Sequence, residues 1–222
     1  MLKSLINAFI RILSRIFLKL DTSELHKMPK QGPLIAIGNH INFLEPPIMI
    51  AHLHPRKTTG LVKKENWDNS LFALLFNIWG GIPIDRDIAD FSAFQTAKKA
   101  LAEGKILAVA PEGTRTHDGQ LIQGKPGVAM LALQTGAPLQ AVAFFGHEDF
   151  WANIKRLKRT PLNIKVGRRF RINLEGQRKS KEILQFIADE MMLELAKLLP
   201  PRYQGFYADW PKSTPQFIEY LD

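Results

Sequence analysis

PLIAIGNHINFLEPPIMIAHL, residues 33–53, carries two structural periods in close succession. Pro33–Gly38 is an apolar run of strand length bounded by a proline and a glycine, which reads as a short buried strand. Pro46–Leu53 reads as a helix, because Pro46 and Pro47 fall in its first turn, where a missing backbone N–H costs nothing. Between them lies a polar turn holding His40 and Glu45. A buried strand, a polar turn and a helix in so short a space form the repeating unit of an α/β protein.

The same alternation continues downstream. Thr58–Val62 reads as a strand, and Ser70–Trp79 as an apolar helix stopped at Gly80-Gly81. Ile82–Ile84 is a short strand, Asp90–Ala102 a helix closed by Gly104, and Lys105–Ala110 a second buried strand. Pro126–Gln134 reads as helix, Pro138–Phe145 as strand, Leu162–Ile172 as a strand with basic alternation, and Ser180–Leu199 as a long amphipathic helix. Pro200–Asp222, rich in aromatics and prolines, reads as irregular packed structure. The expected fold is therefore α/β, a mixed, largely parallel sheet flanked by helices. No repeat and no linker divides the body, so residues 25–222 are expected as one domain behind an arm at 1–24.

Composition agrees: of 222 residues, 45% are hydrophobic and 23% charged, a globular balance. The absence of cysteine excludes a disulfide scaffold, thiolate zinc sites and a cysteine nucleophile. The net charge of +9 is local. Lys3, Arg11, Arg15 and Lys19 stand in the first twenty residues without an acid, and residues 151–181 hold eleven basic residues against Glu175 alone. Such basic segments point to an anionic surface.

In the arm, Leu2, Leu5, Ile6, Phe9, Ile10, Ile12, Leu13, Ile16, Phe17 and Leu20 share one helical arc, and Lys3, Asn7, Arg11, Ser14, Arg15 and Lys19 fill the other. Arg11 and Arg15 interrupt any apolar run long enough to span a bilayer, and no small-residue cleavage site of a signal peptide follows. Such a helix can dock its apolar face on the body or lie in a membrane interface; with its terminal position and no acid, the interface is the preferred reading.

Two turns carry candidate chemistry. His40 and Glu45 sit five positions apart, so the carboxylate can reach one imidazole nitrogen, fix the tautomer and leave the other nitrogen as a general base; a satisfied structural histidine has the same spacing. Pro111-Glu112-Gly113-Thr114-Arg115 follows the strand at 105–110, a place for a phosphate or acidic headgroup, or for an ordinary turn with a surface ion pair. His52 and His54 do not share a helix face, His117-Asp118-Gly119 reads as a turn, and His147-Glu148-Asp149 as a loop.

GNHINFLEPP at 38–47, GGIPIDRD at 80–87, PEGTR at 111–115 and GAPLQAVAF at 136–144, in this order, resemble the motif blocks of the glycerolipid acyltransferase family typified by 1-acyl-sn-glycerol-3-phosphate acyltransferases. The resemblance covers residues 30–175, and its most specific parts are the N-H-x4-acid and E-G-T-R blocks. It implies an O-acyltransferase that moves an acyl chain from acyl-CoA or acyl carrier protein to a lysophospholipid hydroxyl, with 1-acylglycerol 3-phosphate the first candidate acceptor. His40 would be the general base and Glu45, where the family usually has aspartate, its orienting carboxylate. Arg86 would hold the acceptor's phosphate, with Gly80 and Gly81 allowing close approach. Glu112, Gly113, Thr114 and Arg115 would complete the acceptor site, and Pro138 falls in the block associated with the acyl donor. Pro83 replaces a common aromatic and Ala141 a second proline.

No metal, cofactor or covalent acyl-enzyme is expected from the resemblance. The expected partners are the lipid acceptor, the thioester donor and a membrane surface, with the protein peripheral or monotopic on the cytoplasmic face. The Lys155–Arg171 run is a solvated face that could also draw anionic lipid, coenzyme A phosphates or an acidic carrier protein. Nucleic acid is not expected, since Phe170 is the one aromatic interleaved in that run. The alternatives are a non-catalytic lipid-binding homologue and an acyltransferase for another lipid acceptor.

Overall fold

Leu34–Gly38 (β2) lies in the middle of an eight-stranded sheet in the computed structural model, which describes residues 1–86, 88, 90–211 and 214–221. Asp87, the end of the second motif block, and Lys212, Ser213 and Asp222 of the tail lie outside the described residues. The other strands are Leu18–Asp21 (β1), Thr58–Lys63 (β3), Ile82–Ile84 (β4), Ile106–Val109 (β5), Leu139–Phe145 (β6), Thr160–Ile172 (β7) and Ile218–Tyr220 (β8). The helices are Leu2–Phe17 (α1), Glu45–Leu53 (α2), Ser70–Trp79 (α3), Phe91–Ala102 (α4), Gly127–Thr135 (α5), Phe150–Lys155 (α6) and Lys181–Ala196 (α7). The strand order is β1-β7-β6-β2-β5-β3-β4, with β8 also on β7. Every pairing is parallel except β6 with β7 and β7 with β8, so the sheet is mixed and largely parallel, as the alternation predicts.

Both faces of the central strands are apolar because both are covered. Ile35 and Ile37 of β2 pack with Leu107, Leu139 and Ala141 beneath α4, α5 and α7. Leu34 and Ala36 face the other way, with Ile106, Val142, Phe144 and the α2 residues Ile48 and Met49. Helix ends follow local chemistry: the Asn69 side chain caps α3 at the N–H groups of Leu71 and Phe72, and Gly80 ends it at φ 71°.

Two segments differ from the sequence reading. The amphipathic helix ends at Phe17, and Leu18–Asp21 joins β7 as a parallel edge strand. The tail is not wholly irregular: after two short 3-10 turns, Ile218–Tyr220 pairs with β7. Three buried acids of α7 hold that tail. Asp189 accepts from Tyr207 Oη at 2.7 Å, Glu190 from the Phe217 N–H at 2.9 Å and Glu194 from Tyr220 Oη at 2.7 Å.

α1 is docked inside out. Asn7 and Ser14 are its buried residues, while Leu2, Leu5, Phe9, Ile12 and Ile16 are each 55–61% exposed. The polar face makes specific contacts: Asn7 Oδ1 accepts from Trp79 Nε1 at 3.1 Å, and Arg11 donates to the carbonyls of Ala51 at 2.7 Å and His54 at 3.1 Å. Arg11 thereby satisfies carbonyls at the α2 C-terminus, the end that favours a cation. Among the described residues no helix is long and apolar enough to cross a membrane.

Candidate active site

β2 pairs in parallel with both β5 and β6, so the carboxyl ends of all three open on one side of the sheet, where α/β proteins place their sites. Asn39, just past β2, continues the ladder with its side chain. Its Nδ2 donates to the Phe144 carbonyl at 2.7 Å and its Oδ1 accepts from the Phe144 N–H at 2.8 Å. The chain then leaves the sheet at a fixed point and delivers His40. The His40 N–H donates to Glu112 Oε1 at 3.1 Å, and its carbonyl accepts from the Thr116 N–H at 3.0 Å. The backbone of His40 is thus clamped by the turn after β5.

The ring is held from both nitrogens. Nδ1 lies 3.3 Å from Glu45 Oε2, and Nε2 lies 3.4 Å from Arg115 Nε. Glu45 opens α2, where the N-terminal partial charge favours an anion. Its other oxygen, Oε1, accepts from the N–H groups of Ile41 at 2.8 Å and Asn42 at 2.9 Å, and from His147 Nε2 at 2.8 Å. Burial alone pushes this carboxyl up, but the hydrogen bonds from His147 and His40 outweigh it, with the positive charge those rings carry when protonated adding to the fall, and bring it to about 2. Glu45 is an ionised acceptor at neutral pH.

Glu112 is its counterpart. It is buried behind the turn, and burial raises it to about 7 despite its hydrogen bonds from the Ile122 and His40 N–H groups, with the Glu45 charge adding to the rise. Gly113, at φ 73°, makes the turn, and its carbonyl accepts from Arg86 Nη1 at 2.8 Å. Burial, then the positive charge of Arg115, pulls the Arg86 guanidinium down, so two cations stand close together beside His40. A cavity of about 690 Å³ joins this polar group to an apolar lining that includes Ile84, Phe94 and Met130. Among the described residues no group of three or more histidines and carboxylates could hold a metal ion.

Residues 19–144, more than half of the chain, match the family model described as Acyltransferase. The chain belongs to the acyltransferase family. It is 30% identical over 135 residues to the 1-acyl-sn-glycerol-3-phosphate acyltransferase of Limnanthes douglasii, covering 59% of this chain and 48% of that one. It is 27% identical over 144 residues to 1-acyl-sn-glycerol-3-phosphate acyltransferase alpha of Homo sapiens, covering 63% and 50%. This acyltransferase chain thus spans about half the length of the curated relatives it matches. The crystal structure of the 1-acyl-sn-glycerophosphate acyltransferase PlsC from Thermotoga maritima superposes with a TM-score of 0.64 over 88% of this chain and 78% of that one, at 21% identity, a likeness of fold.

Within this acyltransferase domain, His40, Glu45, Arg86 and Gly113 line one cavity, and Glu112 and the exposed Arg115 reach that group through the His40 N–H and ring. Thr114 stands exposed on the turn. Gly80 serves as the cap of α3, and Gly81 lines the cavity where a Cβ would come within 3.2 Å of Phe76 Cβ. Pro138 lies at the amino end of β6, its carbonyl bonded to the Ile35 N–H, at the opposite end of the strand from His40. Two residues join the group that the sequence reading passed over. Lys125 lines the cavity with its side chain against Gly113, and His147, read as part of a loop, is wholly buried against Glu45. Its position was readable in principle: it follows the carboxyl end of β6 much as His40 follows β2.

Proposed function

We propose that this chain transfers an acyl group from acyl-CoA or acyl carrier protein to the free hydroxyl of 1-acylglycerol 3-phosphate, giving phosphatidic acid at a membrane surface. The observation that carries this reading is the His40 ring, with Glu45 on Nδ1 and the Arg115 guanidinium at Nε2, in a cavity that Arg86 also lines. Glu45 keeps the proton on Nδ1 and the lone pair on Nε2. Nε2 takes the acceptor's hydroxyl proton as the oxygen attacks the thioester carbonyl; the new C–O bond forms, the C–S bond breaks, and the proton passes from the imidazolium to the leaving sulfur. Glu45 stabilises that imidazolium through its negative charge.

Arg86 and Arg115 fit a phosphomonoester, whose two charges call for several charge-assisted donors. Among the described residues, the hydrogen bond of Arg86 runs from one Nη to the Gly113 carbonyl. The curated relatives named as 1-acyl-sn-glycerol-3-phosphate acyltransferases support the acceptor, and the apolar cavity wall suits a hydrocarbon chain. The outward apolar row of α1 supports peripheral attachment.

The test is acyl transfer by purified protein in mixed micelles, with labelled acyl-CoA and acyl-carrier-protein donors and a panel of lysolipid acceptors. Phosphatidic acid from the wild type, reduced about 10²- to 10⁴-fold in His40→Ala, is the expected result. Transfer only to a lysolipid without a phosphomonoester would overturn the acceptor. Vesicle binding without turnover from any pair would leave a non-catalytic lipid-binding homologue.

A further inference from the structure

Glu45 has one more methylene than the aspartate usual in the family, and therefore one more torsion to immobilise before its carboxylate can orient a ring. The structure answers with a residue 102 positions away. Oε1 collects three donors, the N–H groups of Ile41 and Asn42 and the Nε2–H of His147, at 2.8 to 2.9 Å. That saturates one oxygen and leaves Oε2 alone to face His40 Nδ1. From this geometry we propose that His147 is a positioning residue for the acyl-transfer site, pinning the long Glu45 side chain so that its second oxygen meets the His40 ring. The inference rests on the reading of His40 as the general base.

Three observations separate this role from ordinary packing. His147 is fully buried, where an apolar side chain would avoid the cost of desolvating an imidazole. Among the described residues its Nδ1 has no hydrogen-bond partner, so the proton belongs on Nε2, where an ionised carboxylate can only accept. A doubly protonated ring would bury a bare N–H. Its backbone is tied to the same loop, because Asn42 Nδ2 donates to the His147 carbonyl at 2.9 Å. The turn after β6 is thereby locked to the turn after β2 at two points, both within reach of Glu45.

The experiment compares His147→Leu and His147→Gln in wild-type and Glu45→Asp backgrounds, with His40→Ala beside them. Expected are a kcat lowered by about 10- to 100-fold in His147→Leu, the scale of a misplaced catalytic group, with KM for both substrates nearly unchanged. His147→Gln, which keeps an N–H donor, should recover most of the loss. In Glu45→Asp, whose shorter carboxylate no longer reaches His147, the same His147→Leu change should cost less than about threefold, against the larger loss in the wild type. Equal losses for Leu and Gln, or equal losses in both backgrounds, would mean a structural role only and overturn the proposal. If His147→Leu does not fold, nitrogen NMR of the wild type decides: a proton on His147 Nδ1 and none on Nε2 excludes donation to Glu45. A wild type with no turnover, or His40→Ala as active as wild type, defeats the general-base reading itself. An active wild type, an inactive His40→Ala and an undiminished His147→Leu defeat the present proposal alone.

Discussion

Glu45 and Glu112 both lie buried beside His40, and their surroundings push them in opposite directions. Burial pushes Glu45 up, but the hydrogen bonds from the His147 and His40 imidazoles outweigh it and take the carboxyl from an ordinary 4.5 to about 2. Its ionised form favours the fold above pH 4.5, and that contribution drains away as pH drops toward 2. Glu112 rises from 4.5 to about 7, so the folded state holds a proton that the unfolded chain has lost, and stability falls as pH climbs through that window. By linkage the Glu112 contribution amounts to about 3 kcal/mol at most. Urea unfolding at pH 5 and pH 7.5 checks it. The wild type should lose stability over that interval by an amount that Glu112→Gln largely removes, and parallel curves for the two proteins would show that Glu112 does not titrate there.

At the scale of single elements, α1 reverses the usual arrangement, since hydrogen bonds hold its polar face while Leu2, Leu5, Phe9, Ile12 and Ile16 of its apolar one stand exposed. Phe9→Glu with Ile12→Glu should therefore leave the melting temperature within about 2 °C, as for surface changes elsewhere, while sharply reducing cosedimentation with anionic vesicles. Unchanged cosedimentation would remove the helix from the membrane contact. Arg11→Met, by contrast, strips the α2 C-terminus of its donor and should cost about 1–3 kcal/mol of stability. The sequence announced α1 by its period, but not which face docks, because that depends on Trp79 and the carbonyls of Ala51 and His54, far along the chain. Elements with local punctuation were legible nearly to the residue: α3 starts after Asn69 and stops at Gly80. β1 and β8 were not: Lys19 and Leu20 of the first continue the helical period of the arm, Ile218–Tyr220 lies in a tail of prolines and aromatics, and each is a strand through its pairing with β7. The candidate site divides the same way. His40, Glu45 and the turn at 111–115 stand in motifs, whereas Lys125 and His147 belong to it only because strand ends meet.

For the whole molecule, the parallel core gathers the candidate catalytic side chains at one end of the sheet, while α1 packs against α2, the helix that begins with Glu45. Five outward apolar side chains on α1 carry the attachment to a bilayer proposed above. Seated on a bilayer as proposed, the protein would search in two dimensions, with its acceptor counted per area of lipid, not per litre. Diluting the acceptor with neutral phospholipid, at constant bulk amount, should slow acyl transfer in proportion to its falling mole fraction; a rate indifferent to added surface would mean that substrate arrives through water. Under that proposal, the way one helix docks makes the acceptor's share of the lipid surface, in place of its amount in solution, the variable in the rate law.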